Sequence, residues 1–244
     1  MHDPLPSYSV RVSSRARHVR LTVHPRDGLV VVVPQGWRGD PADVVASRRE
    51  WALHHLARFE TMRPDGGEGE DSAAVPERIE LRAAGVTLAV EVSARPGTRC
   101  RARVLGDTLV VEAPHGDSAG ARRALDRWLS LTARAVLAPL LQDQANRTGL
   151  AYGSLAVTRA RTRWGSCSSA GRIMLNRNLV FLPRELVDSL ILHELAHTEV
   201  LDHSPAFYRV LERIDPDARA HRCVMRDAWR YVPAWAETGP GRAN

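Results

Sequence analysis

The segment His193-Glu194-Leu195-Ala196-His197, set in the apolar run Leu190-Ile191-Leu192 to Ala196, restricts the fold of this chain more than any other feature. It predicts a helix opened by Pro183-Arg184-Glu185, on which two histidines four residues apart project from one face, close enough to share a metal ion. The apolar neighbours bury that helix. Two imidazoles and a carboxylate would then be buried at a cost unless they have work to do together. Glu194, next to the first histidine, can face a metal-bound water rather than the metal. Zinc lowers the pKa of such a water toward ~7, and a carboxylate in reach can take its proton as it attacks a carbonyl.

A catalytic zinc site normally takes three protein ligands and leaves the fourth position to water. His203 is the best third candidate, but six residues beyond His197 it points to another side of a continuous helix at ~100° per residue. The helix must therefore end before it. Ser204-Pro205, an N-cap followed by proline, opens a new helix carrying Phe207, Val210, Leu211 and Ile214, and leaves His203 in the turn. The expected cofactor is one Zn²⁺ per chain.

Around this segment we expect an α+β protein: a β-rich N-terminal region over residues 1–115, then a helical part with a small sheet over 116–244. Alternation through Val10, Val12, Val19, Leu21 and Val23, then Leu29 to Val33, reads as a β-hairpin turned at Pro25-Arg26-Asp27-Gly28. Asp40-Pro41 opens a helix to about Met62 with Val44, Trp51, Leu56 and Phe59 inward, and Pro64 to Ala74 reads as a flexible loop. A second β block over Ile79–Ala113, turning at Gly106-Asp107, precedes a helix from about Ser118 to Thr148 that Pro139 should kink or interrupt. A short strand pair is expected around Leu155 to Asn176.

No apolar run approaches the ~20 residues of a bilayer span, and the opening MHDPLPSYSV lacks the apolar core of a signal peptide. A cytoplasmic protein is expected. Cys100, Cys167 and Cys223 are far apart and odd in number, which argues against disulfides and thiolate zinc knuckles. The net charge of +6 comes with 34 basic residues, all arginine. Between Gln144 and Arg184 no acid stands beside Arg147, Arg159, Arg161, Arg163, Arg172, Arg177 and Arg184. This segment could hold phosphate backbone or a substrate carboxylate, or be an arginine-rich solvated face.

The run Arg163-Trp164-Gly165-Ser166-Cys167-Ser168, then Ile173 with Leu175-Asn176, the histidine motif, His203-Ser204-Pro205-Ala206-Phe207 and Asp215-Pro216-Asp217 resembles the YgjP-like metallopeptidase family. Ser14-Arg15-Arg17, Val33-Pro34 and Arg49-Glu50-Trp51 extend the resemblance through the N-terminal half. It implies a zincin-type core, a zinc helix beside a small sheet, with His193, His197 and His203 as ligands and Glu194 as general base. The pattern is more distantly similar to SprT-like proteases that act on DNA-bound proteins. It departs from metzincins, because Val200 stands where their glycine would be. Met225 accordingly reads as a core residue rather than a Met-turn.

A peptide or protein substrate follows from the resemblance. In zincins an edge strand beside the zinc helix holds extended peptide, which would bring Arg163 and Asn176 near the cleft. Arg163, Trp164, Asn176 and Tyr208 are the candidate substrate contacts, and Arg163, Tyr208 and His221 the candidate oxyanion donors. In the alternative reading Trp164 is core, Gly165 serves backbone geometry and Ser166 caps a turn. A different functional class is a nucleic-acid-associated binding module with structural zinc. A cysteine mechanism at Cys167 lacks a placed base, and the oligomeric state stays open.

Overall fold

The computed structural model describes residues 4–24, 28–61 and 75–237. They form an α+β protein that divides into two compact units, Met1–Glu68 and Gly69–Asn244. The expected boundary after residue 115 is therefore corrected. The second β block cannot stand apart from the helical part, because its apolar face supplies one wall of the same core.

In the first unit, β1 (Tyr8–Ser13), β2 (Arg20–His24) and β3 (Gly28–Pro34) form a sheet in the order β1-β3-β2. The expected hairpin is the antiparallel β2–β3 pair, and β1 joins β3 in parallel. As the central strand, β3 buries all of Leu29 to Val33, which explains its unbroken apolar run. Pro25, Arg26 and Asp27 of the expected turn lie outside the described residues. Asp40 caps α1 (Pro41–Ser47) by accepting from the Ala42 N–H at 2.8 Å, but the chain breaks at Arg48 before α2 (Arg49–Thr61). One expected helix is thus two. Val45 and Ala52 close the core against β3, with Val44, Trp51 and Leu56 packed at its edge. The Phe59 side chain, Met62 and the expected loop Pro64–Ala74 lie outside the described residues.

The second unit opens with β4 (Arg78–Leu81), β5 (Val86–Ala94), β6 (Arg101–Leu105) and β7 (Thr108–Ala113), ordered β4-β5-β7-β6. Here β5 is parallel to β7 and β6 antiparallel to it, which repeats the β1-β3-β2 pattern. Gly106, at φ 62°, makes the two-residue turn of the β6–β7 hairpin. Helix α3 (Ser118–Thr148) follows, capped by Asp117, and it runs on through Pro139 without interruption. Burial of Leu137, Leu140 and Leu141 around the proline offsets the ~3 kcal/mol that a lost backbone bond and a ring clash would cost.

The expected strand pair is a three-stranded sheet, β8 (Ser154–Thr158), β9 (Gly165–Cys167) and β10 (Arg172–Asn176), ordered β8-β10-β9. After a 3₁₀ turn at Arg177–Phe181 come α4 (Arg184–Glu199), α5 (Pro205–Ile214), α6 (Ala218–Met225) and α7 (Ala234–Glu237). Ile79, Leu88 and Leu109, Leu125 and Leu129 of α3, Ile173 and Leu175 of β10, and Val187, Ile191 and Leu195 of α4 form one core. Met225 packs against that core. Among the described residues no helix is long and apolar enough to cross a membrane.

Candidate metal centre

Helix α4 buries Leu186, Val187, Ile191 and Leu195 on the core side and carries His193, Glu194 and His197 toward α5 and β9. Its far side is anchored where Ser189 donates to the buried Asp215, whose other oxygen accepts from the Asp217 N–H at the start of α6. This gives Asp215 a structural task that the sequence motif alone did not disclose. The helix ends as Val200 turns to extended backbone, at φ −134° and ψ 108°, and the chain doubles back to α5. Val200 therefore closes the helix without the glycine of metzincins. Ser204 occupies the N-cap position, but the turn is closed by Asp202, which accepts from the Ser204 N–H at 3.1 Å.

That turn brings His203 back to the other two histidines. The ligand-capable nitrogens of His193, His197 and His203 lie within 4.8 Å of one another, and Nε2 of His193 is 3.2 Å from Nε2 of His203. The fully buried Phe207 packs against all three rings at centroid distances of 5.0, 4.3 and 4.9 Å, and holds the cluster from beneath. His197 Nδ1 is 3.0 Å from the Val200 carbonyl. A carbonyl only accepts, so the proton sits on Nδ1 and Nε2 presents its lone pair to the cluster. Burial, with the neighbouring histidines and Arg222, pushes His193 down to about 4, and burial also lowers His197. Both are neutral at pH 7, the form that binds a metal. Three imidazoles converging in this way fit zinc's preference for nitrogen ligands with a fourth position left over.

Glu194 is only 4% exposed, and its Oε2 has no hydrogen-bond partner among the described residues. Burial pushes its carboxyl up to about 7, against the opposing pull of the Arg163 guanidinium. Close approach of β9 produces that burial. A Cβ on Gly165 would stand 2.5 Å from Glu194 Oε1 and 2.9 Å from its Cδ and Cγ, so any larger residue there must push the Glu194 side chain aside. The bare pattern Trp-Gly-Ser signalled a backbone role for Gly165 but not its neighbour.

The other expected site residues separate. Arg163 is exposed and lines a small cavity with Trp164, Gly165 and Ser166. Trp164 stacks on Trp229 at 4.0 Å between ring centroids and packs against the core with one side. Asn176 is buried and fully engaged: its Nδ2 donates to the Ala160 and Arg163 carbonyls at 2.7 and 2.9 Å, and its Oδ1 accepts from the Asn178 N–H. Its expected substrate contact gives way to holding the loop before β9. Tyr208 lies 6.4 Å from His203 between ring centroids, and its hydroxyl accepts from Arg222. His221 turns to Asp215, 3.7 Å away. Cys167 donates to the Ser168 carbonyl, and burial raises its pKa, so its thiol is not activated.

The arginine segment is likewise not one free surface. Arg177 is buried and ion-paired with Asp126 at 2.8 Å, while donating to Ser130 and the Ala236 carbonyl. Arg159 pairs with the same Asp126, and Arg184 with Asp188. The missing acids of the segment are supplied by α3 and α4, which one-dimensional charge counting does not see.

A helix-borne pair of histidines, a third from the following turn and a buried carboxylate between helix and sheet define a metal-dependent hydrolase. The family described as YgjP-like, metallopeptidase domain, matches residues 17–228, and the chain belongs to that family of metallopeptidases. Two solved structures resemble parts of it. The metallopeptidase zymogen jannalysin of Methanocaldococcus jannaschii is 16% identical, covering 37% of this chain and 93% of that one, at a TM-score of 0.33. The metallopeptidase zymogen abylysin of Pyrococcus abyssi is 23% identical, covering 40% of this chain and 99% of that one, at a TM-score of 0.35. No curated protein matches the sequence.

Proposed function

We propose that the chain is a single-zinc peptidase in which His193, His197 and His203 hold the ion and Glu194 is the general base. The observation that carries this reading is the convergence of three imidazoles beside a buried carboxylate with an unpartnered oxygen. Zinc, when bound, acidifies a water and polarises the scissile carbonyl. Glu194 accepts the proton of the attacking water and can return it to the leaving amine, a task suited to a carboxylate whose pKa burial has raised toward neutrality. The β9 strand pairs only with β10 among the described strands, and its free edge can receive an extended peptide as an added strand. Tyr208 has the Arg222 guanidinium on its oxygen, which leaves its own O–H proton to donate to a developing oxyanion.

Elemental analysis of the purified protein beside His203→Ala, at matched circular dichroism, tests the centre. One zinc per wild-type chain, weakened or lost in the variant, is the expected result. A folded wild type that binds no zinc after reconstitution overturns the reading.

A further inference from the structure

A cavity of about 170 Å³ is lined by Ala160, Arg163, Trp164, Gly165, Ser166 and Met174. Its lining includes the glycine whose missing Cβ makes room for Glu194 on the other face of β9, and the charge of Arg163 is felt by that carboxyl. We propose that Arg163 is a carboxylate clamp, so that this centre selects peptides carrying a negative charge on the group that enters the cavity. The inference rests on the peptidase reading and names its substrate class.

The guanidinium at the cavity acts on Glu194 only at a distance and is tied to no acid directly. Arg159, Arg177 and Arg184 are each tied to an aspartate, whereas Arg163 has neither a hydrogen bond nor an ion pair among the described residues. Its backbone, in contrast, is fixed, because Asn176 holds its carbonyl at 2.9 Å and that of Ala160 at 2.7 Å. A free guanidinium on a pinned backbone is preorganised for a ligand, and its planar fork suits a carboxylate. The apolar lining of Ala160, Met174 and Trp164, which stacks on Trp229, suits the methylene stem behind such a carboxylate. That carboxylate can belong to a glutamate side chain or to the substrate's C-terminus.

The test compares zinc-loaded wild type with Arg163→Gln on four otherwise identical peptides: glutamate or glutamine near the cleaved bond, and a free or amidated C-terminus. Using the ratio of kcat/KM for charged over neutral partners within each protein cancels any general effect of removing a charge near Glu194. Wild type is expected to prefer one carboxylate about tenfold, mainly through KM, and Arg163→Gln to bring that ratio near one. A preference confined to glutamate assigns the clamp to a side chain, and one confined to the free end assigns it to the chain terminus. An active wild type with no carboxylate preference, or one that Arg163→Gln leaves unchanged, overturns the clamp. Calorimetric binding of the same peptides to Glu194→Gln reads the clamp without turnover. Failure of all hydrolysis in zinc-loaded wild type therefore counts against the peptidase reading, while equal binding of charged and neutral peptides counts against Arg163.

Discussion

On α4 the centre is made by side chains at fixed spacing, His193, Glu194 and His197, whereas the segment from Arg163 to Asn176 shapes it largely through backbone. There Gly165 contributes by lacking a Cβ, and Asn176 by tying down the Ala160 and Arg163 carbonyls. A wall that acts through side chains loses chemistry when one atom is exchanged and keeps its shape. A wall that acts through backbone loses position first and chemistry as a consequence. Substitutions on the two walls should therefore fail in different ways.

The largest effect belongs to α4. Glu194→Gln removes the proposed proton acceptor while keeping nearly the same shape, and we expect a loss of at least about 10³-fold in kcat with zinc content and circular dichroism unchanged. Hydrolysis at the wild-type rate would strike Glu194 from the mechanism.

The same side chain predicts a pH dependence in the metal-free protein. Its folded pKa of about 7 lies above the ordinary 4.5, so the folded state favours the protonated acid. Below pH 4.5 the group is protonated in both states and costs nothing. Between 4.5 and 7 ionisation increasingly favours unfolding, and above 7 the penalty is constant, at most on the order of 3 kcal/mol. Urea midpoints of metal-free wild type should thus fall relative to Glu194→Gln as pH rises through that window. Parallel curves would show that Glu194 is hydrated in solution.

On the other wall, Gly165→Ala inserts a methyl 2.5 Å from Glu194 Oε1. The β9 backbone cannot easily retreat, since Gly165 is paired with Leu175 in the ladder, so the glutamate must move. A displaced base lowers kcat by about 10- to 100-fold, with zinc binding retained because the three imidazoles are untouched. Wild-type kcat in a folded Gly165→Ala would mean that β9 stands farther from α4 than the structure has it.

This contrast also explains what could be read in advance. The α4 wall was legible because a helix converts spacing directly into a shared face, and because Ser204-Pro205 marks the next helix start. So were the α+β class, the hairpins and the extent of α3. The β9 wall was less so: nothing local says that Gly165 will meet Glu194, nearly thirty residues on, or that Asn176 will look inward. The unit boundary and the partners of the arginine segment are not legible in the sequence for a related reason. Whether Ile79 and Leu109 form their own core, or whether Arg177 finds Asp126, depends on where α3 packs.

Asn176 offers the finest separation of the two walls. Removing its amide leaves the Ala160 and Arg163 carbonyls and the Asn178 N–H without their partner, yet the Asn176 N–H still donates to the Trp164 carbonyl at 2.7 Å. Water can reach part of the loop, so Asn176→Ala should cost only about 1–2 kcal/mol in urea unfolding. Asn176→Asp is the sharper probe, for it keeps an acceptor toward Asn178 but turns a carboxylate on two carbonyls. At neutral pH that variant should be less stable than Asn176→Ala. It should recover as pH falls, because the folded state raises the pKa of the new acid, and protonation restores one donor. Equal stability of the two variants from pH 4 to 8 would mean that the loop before β9 is held by its backbone alone. Arg163 would then stand on a backbone that its neighbours do not fix.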